Sequence, residues 1–150
     1  MNLFNTIKSA NAKIWRPLDL ADYHEAYDGA IFHVWVNPTR AHMEEFQMIR
    51  RQLLDARDRN AAEMQRARKI KDDAERVAAI EKVNAESEAA IASYEADRLA
   101  WFSELWLNVD LDEARQICDH LEANDPVALD WLFEQSTKIV GNYRKEKLGN

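Results

Sequence analysis

Hydrophobic and polar positions follow two different periods along this chain, and the shorter period predicts a strand. Residues 30–36, AIFHVWV, are rich in β-branched and aromatic side chains and lie between Gly29 and Asn37-Pro38, a pattern typical of a strand. Alternation would give one face Phe32, Val34 and Val36 and the other Ile31, His33 and Trp35. Both faces are largely apolar, so we do not expect either to lie open to solvent.

A strand must pair its backbone groups, and the sequence offers this one a single partner. The partner is the segment around residues 13–15, cut short by Pro17, because proline cannot donate to a ladder. Residues 19–29 would join the two as a loop or a single helical turn. If this hairpin is too small to complete a sheet, we expect the remaining edge to pair with another chain.

The longer period predicts helices over most of the chain. Residues 39–125 contain neither glycine nor proline, and Asn37-Pro38 provides a helix start by capping and a fixed φ. Asp72 and Glu75 resemble a capping box, which splits the run into helices of about 39–70 and 73–108 that could pair as an antiparallel hairpin. A single unbroken helix over this region is the alternative. The apolar stripe that starts it is Met43, Phe46, Ile49 or Arg50, and Leu53.

The middle of this helical region is poor in large apolar side chains. From about residue 56 to 92 the stripe thins to alanine and a few aliphatic residues, so the segment predicts an exposed helical arm. We divide a single domain, 1–150, into a β-containing element (1–38), the long helical region (39–108) and a C-terminal helical pair (109–150).

The C-terminal pair begins at two further caps. Asp110, with Glu113 three residues on, starts a short helix, and Asp125-Pro126 starts the last one, which Gly141 or the Gly149 region ends. The predicted buried stripe of the short helix is Leu111, Ala114, Ile117, Cys118 and Leu121. The predicted face of the last helix is Ala128, Trp131, Leu132, Gln135, Ile139 and Tyr143. The predicted fold class is therefore mainly α with a small N-terminal β element.

Composition and charge narrow the function. The net charge is −7, and residues 101–150 carry ten acidic and five basic side chains, which disfavours binding to nucleic acid phosphates. Cys118 is the single cysteine, so an intrachain disulfide is excluded and a reducing compartment is favoured. Residues 1–12 lack a signal-peptide pattern and no apolar run reaches 18 residues, so we expect a cytoplasmic protein without membrane contact.

Candidate chemistry is sparse. Cys118 and His120 are two residues apart, about 200° around a helix, so they cannot act together. His42 and Glu45 share a face, but a helical metal site needs further ligands that the pattern does not provide. The three glycines are scattered and form no phosphate-binding loop. We therefore predict no catalytic residue, no cofactor and no metal, and we do not expect an enzyme.

The five tryptophans provide the remaining signal. Trp101 and Trp131 occupy regular apolar positions, where a tryptophan packs in a core. Trp35 shares its strand face with Ile31, and Trp106 follows a helix whose inward positions are already filled. An aromatic left over after the core is complete is a typical binding hot spot. The candidate partner-binding residues are therefore Ile31, Trp35 and Trp106.

Two stretches carry a resemblance to a known family. Residues 22–46 place a short strand ending in Val-Asn-Pro before a helix, and residues 99–144 place Trp-Leu-Asn at a helix end before an acidic helix start and an Asp-Pro start. This resembles the tail assembly chaperones of tailed phages. Residues 55–95 fall outside the resemblance and would be an inserted helical arm.

The resemblance implies a mainly helical protein that self-associates and binds the tape measure protein, a long helical client, while the tail tube is built. The expected function is protein–protein interaction in the bacterial cytoplasm during phage tail assembly. Two alternatives stay open from the sequence. One is a small structural subunit of the virion tail or connector, and the other is a helical adaptor or inhibitor of an enzyme.

Overall fold

The computed structural model describes residues 2–149, and 76% of the chain is helical. This confirms the predicted fold class. The described residues form one two-stranded antiparallel hairpin and five α-helices. The elements in chain order are α1 (Leu3–Ala10), β1 (Trp15–Asp19), β2 (Ile31–Trp35), α2 (Arg40–Arg68), α3 (Asp73–Leu105), α4 (Leu111–Asn124) and α5 (Pro126–Lys147).

The chain forms two compact units. One contains the residues up to Thr39 together with those from Phe102 onward, and we call it the strand unit. The other contains Arg40–Trp101, and we call it the hairpin unit. The strand unit is thus built from the two ends of the sequence, with the hairpin unit between them along the chain.

The strand unit contains the predicted β-hairpin, but Pro17 does not end it. β1 pairs with β2 through Asp19, with Pro17 opposite His33. Leu20 N donates to Ala30 O, so hydrogen-bonded pairs alternate along the ladder and place Pro17 in a pair that exchanges no hydrogen bonds. A proline there removes no ladder bond, because its nitrogen faces the open side of an edge strand. Two 3-10 turns, Leu20–Asp22 and Glu25–Tyr27, join the strands.

The far edge of β2 has a partner within the chain, which the sequence analysis missed. After α3 ends, Trp106 forms an antiparallel bridge with Val34, and Leu107 N donates to His33 O at 2.9 Å. Asn108, with φ 58°, then turns the chain toward α4. Asparagine tolerates this left-handed conformation better than most residues. The expectation that this edge must pair with another chain is therefore wrong where Trp106 and Leu107 cover it.

Aromatic side chains dominate the core of the strand unit. Trp106 packs against Phe32 with ring centroids 5.1 Å apart and against Phe133 at 6.2 Å. Its indole nitrogen donates to Ser136 Oγ at 3.1 Å, and Ser136 Oγ donates to Leu132 O at 2.7 Å. A buried indole N–H needs such an acceptor, because an unpaired buried polar group is costly.

The C-terminal helices differ from the prediction in which residues they bury. In α4, Ala114, Cys118 and Leu121 are buried as expected, but Leu111 is exposed and Ile117 only half-buried. α5 continues through Gly141 to Lys147, and Gly149 follows it at φ 75°. The face that α5 buries is rotated from the predicted one and consists of Ala128, Leu129, Leu132, Phe133, Ser136 and Val140.

The hairpin unit consists of α2 and most of α3, so the predicted split into two long helices is confirmed. Asp72 Oδ2 accepts from Glu75 N at 2.9 Å, which is the expected capping contact at the start of α3. α2 begins at Arg40 rather than at Pro38. Asn37 is not its cap, because the Asn37 side chain bonds instead to Ala12 O and Ile14 N.

α2 and α3 pair as an antiparallel hairpin. The Trp101 ring stacks on His42 and on Phe46, while further along α2 a shallow pocket is shared by Ala67 and Val83. Along the helix pair, increasing residue numbers on α2 thus meet decreasing residue numbers on α3. Most of the less exposed positions of α2 recur at steps of four and three, which is the heptad pattern of coiled coils. They are residues 42, 46, 49, 53, 56, 60, 63 and 67, and residues 43 and 64 beside them are also half-buried.

Candidate functional site

The three predicted partner-binding residues lie in different environments. Ile31 leaves 50% of its surface exposed, whereas Trp35 leaves 7% and Trp106 leaves 2%. Trp106 is at the centre of the strand-unit core described above. Of these three residues, Ile31 is therefore the one that a partner can reach in this structure.

Trp35 lies at the opposite end of β2 from Ile31. It faces Trp15 across the hairpin in a pair without hydrogen bonds, where cross-strand side chains approach closely. The Lys13 ammonium lies 4.3 Å from the centre of the Trp35 ring, a cation–π contact. The strand alternation predicted Trp35 beside Ile31, but this lysine and the neighbouring tryptophan cover it.

Ile31 borders an open, largely apolar groove of about 510 Å³ in the strand unit. The geometry follows from the β2 edge. Trp106 pairs with Val34 and Leu107 with His33, so the chain runs toward the Ile31 end of β2, where Val109 and residues of α4 line the groove together with Ile31. The groove is lined by Leu20, Tyr27, Gly29, Ala30, Ile31, Phe32, Val109, Glu113, Gln116, Ile117, His120 and Leu121.

The groove combines a largely apolar lining with a few polar side chains from α4. Leu20, Phe32 and Leu121 are buried at its base, while Glu113 and His120 are exposed on α4. Glu113 is the acidic side chain among the lining residues, and Gln116 and His120 are further polar side chains from α4. A concave apolar surface with a few charged groups at its edge is the usual character of a peptide- or ligand-binding site.

A hydrogen-bonded cluster fixes the wall of the groove to α5. Tyr27 Oη donates to Asp125 Oδ2 at 2.6 Å, and Tyr23 Oη donates to Asp125 Oδ1 at 3.2 Å. Asp125 is also the N-cap of α5, where it accepts from Ala128 N. The 3-10 turn that carries Tyr27 is thus tied to a helix start.

The pKa values in this cluster move in opposite directions. The hydrogen bond to Asp125 and desolvation raise the pKa of Tyr27 to about 12. The same hydrogen bond holds the pKa of the Asp125 carboxyl below its usual value. Desolvation first, then the bond to Asp125, raises the pKa of Tyr23. Hydrogen bonds of this kind stabilise the loop and do not by themselves create a catalytic group.

The other titratable side chains that the sequence singled out are not assembled into a catalytic arrangement. Cys118 is buried in the α4 stripe, whereas His120 is exposed at the groove rim, as their spacing predicted. The His42 ring is buried and stacks on Trp101 with centroids 4.5 Å apart, while Glu45 is exposed and has a carboxylate oxygen within 4.8 Å of a His42 ring nitrogen. His42 thus has a packing role in the hairpin unit.

The sequence analysis missed a second apolar surface, on α1. Leu3, Phe4 and Ile7 leave 75%, 69% and 50% of their surfaces exposed, and α1 buries no residue. At 100° per residue these three side chains fall within a 100° arc. Asn2 caps the helix by accepting from Asn5 N at 2.8 Å. The cap and the stripe were both readable in the sequence as a short amphipathic helix.

In comparisons with known proteins, the chain matches no protein-family model, no curated protein and no solved structure. Among the helices within residues 2–149, none combines the length and the apolar character that crossing a membrane requires.

Proposed function

We propose that this protein is a protein–protein interaction factor that holds an apolar helical segment of a client in the groove beside Ile31. The observation that carries the proposal is the groove itself. Its lining is largely apolar, Glu113 places one carboxylate on the α4 side, and Ile31 at its edge is half exposed. Amphipathic helices bind such grooves by inserting apolar side chains at helical spacing.

The client's nature follows from the groove and from the family resemblance. The Glu113 carboxylate, with no lysine or arginine among the lining residues, favours a helix with a basic residue beside its apolar stripe, because complementary charge aids association. The resemblance to tail assembly chaperones makes a tape measure protein the client to test first. The protein would act in the host cytoplasm, without a cofactor and without catalysis, by covering the client's apolar stripes until the tail tube replaces it.

Co-expression with the client tests the proposal. The protein carries an affinity tag and is produced with the product of a very long, tape-measure-like reading frame from its own genome. We expect the client to co-purify and to stay soluble. Ile31→Asp should reduce the recovered client at least tenfold, while Val77→Asp should recover it fully, because Val77 is 53% exposed on α3 and is not among the residues that line the groove.

Two results would contradict this function. Recovery of the client with Ile31→Asp equal to that with Val77→Asp would show that the groove is not the binding site. Detection of the protein in finished virions by mass spectrometry, at a fixed copy number, would favour the structural-subunit alternative, because a chaperone leaves before assembly is complete.

A further inference from the structure

We propose that α1 of one copy of this protein occupies the groove of a second copy, so that the protein assembles head to tail. The inference rests on the groove being a helix-binding site, as proposed above, and it identifies a second copy of this chain as a partner. The stripe on α1 and the groove are both apolar, both accessible and both in the strand unit.

The charges of the two surfaces are complementary. Residues 2–13 carry two lysines and no acidic side chain, whereas the residues that line the groove include the carboxylate of Glu113 and neither lysine nor arginine. Lys8 lies in the last turn of α1, and Glu113 lines the groove. Opposite charge around an apolar contact fixes orientation and speeds association.

The size of α1 suits the groove. A helix of eight residues is about 12 Å long, and its stripe presents two aliphatic side chains and one phenyl ring. The groove volume of about 510 Å³ falls within the range of about 300–1,000 Å³ that binds compact apolar groups. Two or three anchoring side chains at helical spacing are the usual content of a helix-in-groove contact.

The anchoring of α1 holds its end at the opposite end of β2 from Ile31. Asn37 Nδ2 donates to Ala12 O at 3.0 Å and Asn37 Oδ1 accepts from Ile14 N at 2.7 Å, which fixes the end of α1 beside the Ile14–Val36 end of the β-hairpin. Ile31 is five residues from Val36 along β2, about 17 Å at the rise of a strand.

The reach of α1 from this anchor is shorter than that distance. Asn11 N donates to Ile7 O and Ala12 N donates to Ser9 O, so the link stays helically compact. From Ala12 to Phe4 the chain then spans about 12 Å. A second copy has no such constraint. Because stripe and groove are different surfaces, the contact is heterologous and continues into a ring or an open chain.

The first test is the association state of the purified full-length protein without any client. Sedimentation velocity over a hundredfold range of concentration should show species larger than the monomer that increase with concentration and diminish with added salt. Phe4→Asp and Ile31→Asp should each remain monomeric, and Val77→Asp should assemble like the wild type. Circular dichroism confirms that each variant keeps its helical content.

Mixing the two defective variants tests the geometry. Phe4→Asp retains an intact groove and Ile31→Asp retains an intact α1, so an equimolar mixture should form dimers and nothing larger. A symmetric contact would not be restored in this way. If Ile31→Asp does not fold, Glu113→Lys replaces it, since this exposed rim residue would then repel Lys8.

Several outcomes overturn the inference. They are a wild type that stays monomeric at every concentration, a Phe4→Asp variant that assembles normally, and a mixture that stays monomeric. A monomer whose α1 resists proteolysis would show docking within one chain and would also overturn it. If the protein stays monomeric but still binds the client, this inference is wrong and the proposed function stands. If it assembles with itself but does not bind the client, the proposed function is wrong and this inference stands.

Discussion

Tyr27 Oη donates a 2.6 Å hydrogen bond to Asp125 Oδ2, joining residues 98 positions apart in the sequence. This bond ties the 3-10 turn at the groove wall to the start of α5, so the shape of the groove depends on a contact between the two ends of the chain. The same contact makes the stability of the strand unit sensitive to pH in both directions.

The alkaline side follows from Tyr27. Its pKa is raised to about 12 in the folded protein, above the ordinary value of 10.0. The stabilisation is therefore fully present below pH 10 and is lost as the pH rises through about 12. We expect Tyr27→Phe to lower the thermal midpoint at neutral pH and to remove this alkaline loss, measured by thermal melts against pH.

The control is Tyr94→Phe, on α3 in the hairpin unit, which should leave the alkaline profile unchanged. A Tyr27→Phe profile that superimposes on the wild type would contradict the prediction. On the acidic side the sign reverses: the pKa of Asp125 is lowered, so its contribution is present above the ordinary carboxyl pKa and is lost as the pH falls through the folded value.

A second titrating contact lies in the hairpin unit, between Glu63 and Glu86. The hydrogen bond to Glu63, with desolvation and like-charge repulsion, raises the pKa of Glu86. A raised carboxyl pKa gives stability at low pH that is lost as the pH rises through the folded value. We expect Glu86→Gln to raise the unfolding midpoint at pH 7 and to have little effect at low pH.

Denaturant titration at the two pH values measures this, with Glu88→Gln as the control. Glu88 is exposed on the same helix, so its neutralisation should change little. A lower midpoint for Glu86→Gln at pH 7 would contradict this prediction. It would show that the ionised Glu86 is stabilising, because attraction to neighbouring cations outweighs its repulsion from Glu63.

The buried pair Trp106–Ser136 gives a stability prediction. Ser136→Ala removes the acceptor of the Trp106 indole N–H, and both side chains are buried. Leaving that donor unpaired should cost about 1–3 kcal/mol of the free energy of unfolding. Chemical denaturation measures it against Thr137→Ala, whose hydroxyl bonds only to its own helix backbone. Equal losses in the two variants would mean that the Trp106 donor is satisfied in another way.

The arm predicted at residues 56–92 should exchange its amide hydrogens faster than the segments around Trp101 and Trp131. Its buried positions are Ala56, Asn60, Ala67 and Val83, of which only Val83 is a branched aliphatic side chain, so few apolar contacts oppose local opening. Hydrogen exchange followed by mass spectrometry compares the peptides. Protection equal to that around Trp101 would indicate that an assembly covers the arm.

How far the sequence predicts this structure depends on whether the deciding contacts are local. The cap at Asp72, the Asp-Pro start of α5 and the alternation of Phe32 and Val34 are local, and each is confirmed. Pro17 illustrates the opposite case. Whether a proline ends a strand depends on which pairs of the ladder exchange hydrogen bonds, and that register is fixed only by the partner.

The candidate site shows the same limit. The strand pattern predicts Ile31 as a partner-binding residue, but the groove beside it also needs Val109 and residues of α4, which follow the pairing of Trp106 with Val34. No local sequence pattern near residue 106 predicts this pairing. Trp106 was chosen as a surplus aromatic for the same reason: nothing nearby in sequence indicates that Phe32, Phe133 and Ser136 surround it.

The division of the chain into units has a consequence for its synthesis on the ribosome. The strand unit needs residues from both ends, so it cannot close until translation has passed α5, whereas the hairpin unit is complete once Trp101 has emerged. Trp101 Nε1 then donates to His42 O at 2.7 Å, across 59 residues. This contact holds the two ends of the hairpin unit together before the rest of the chain is made. The N-terminal part of the strand unit and the residues that follow Trp101 are then joined by a short effective loop, which lowers the entropy cost of bringing them together.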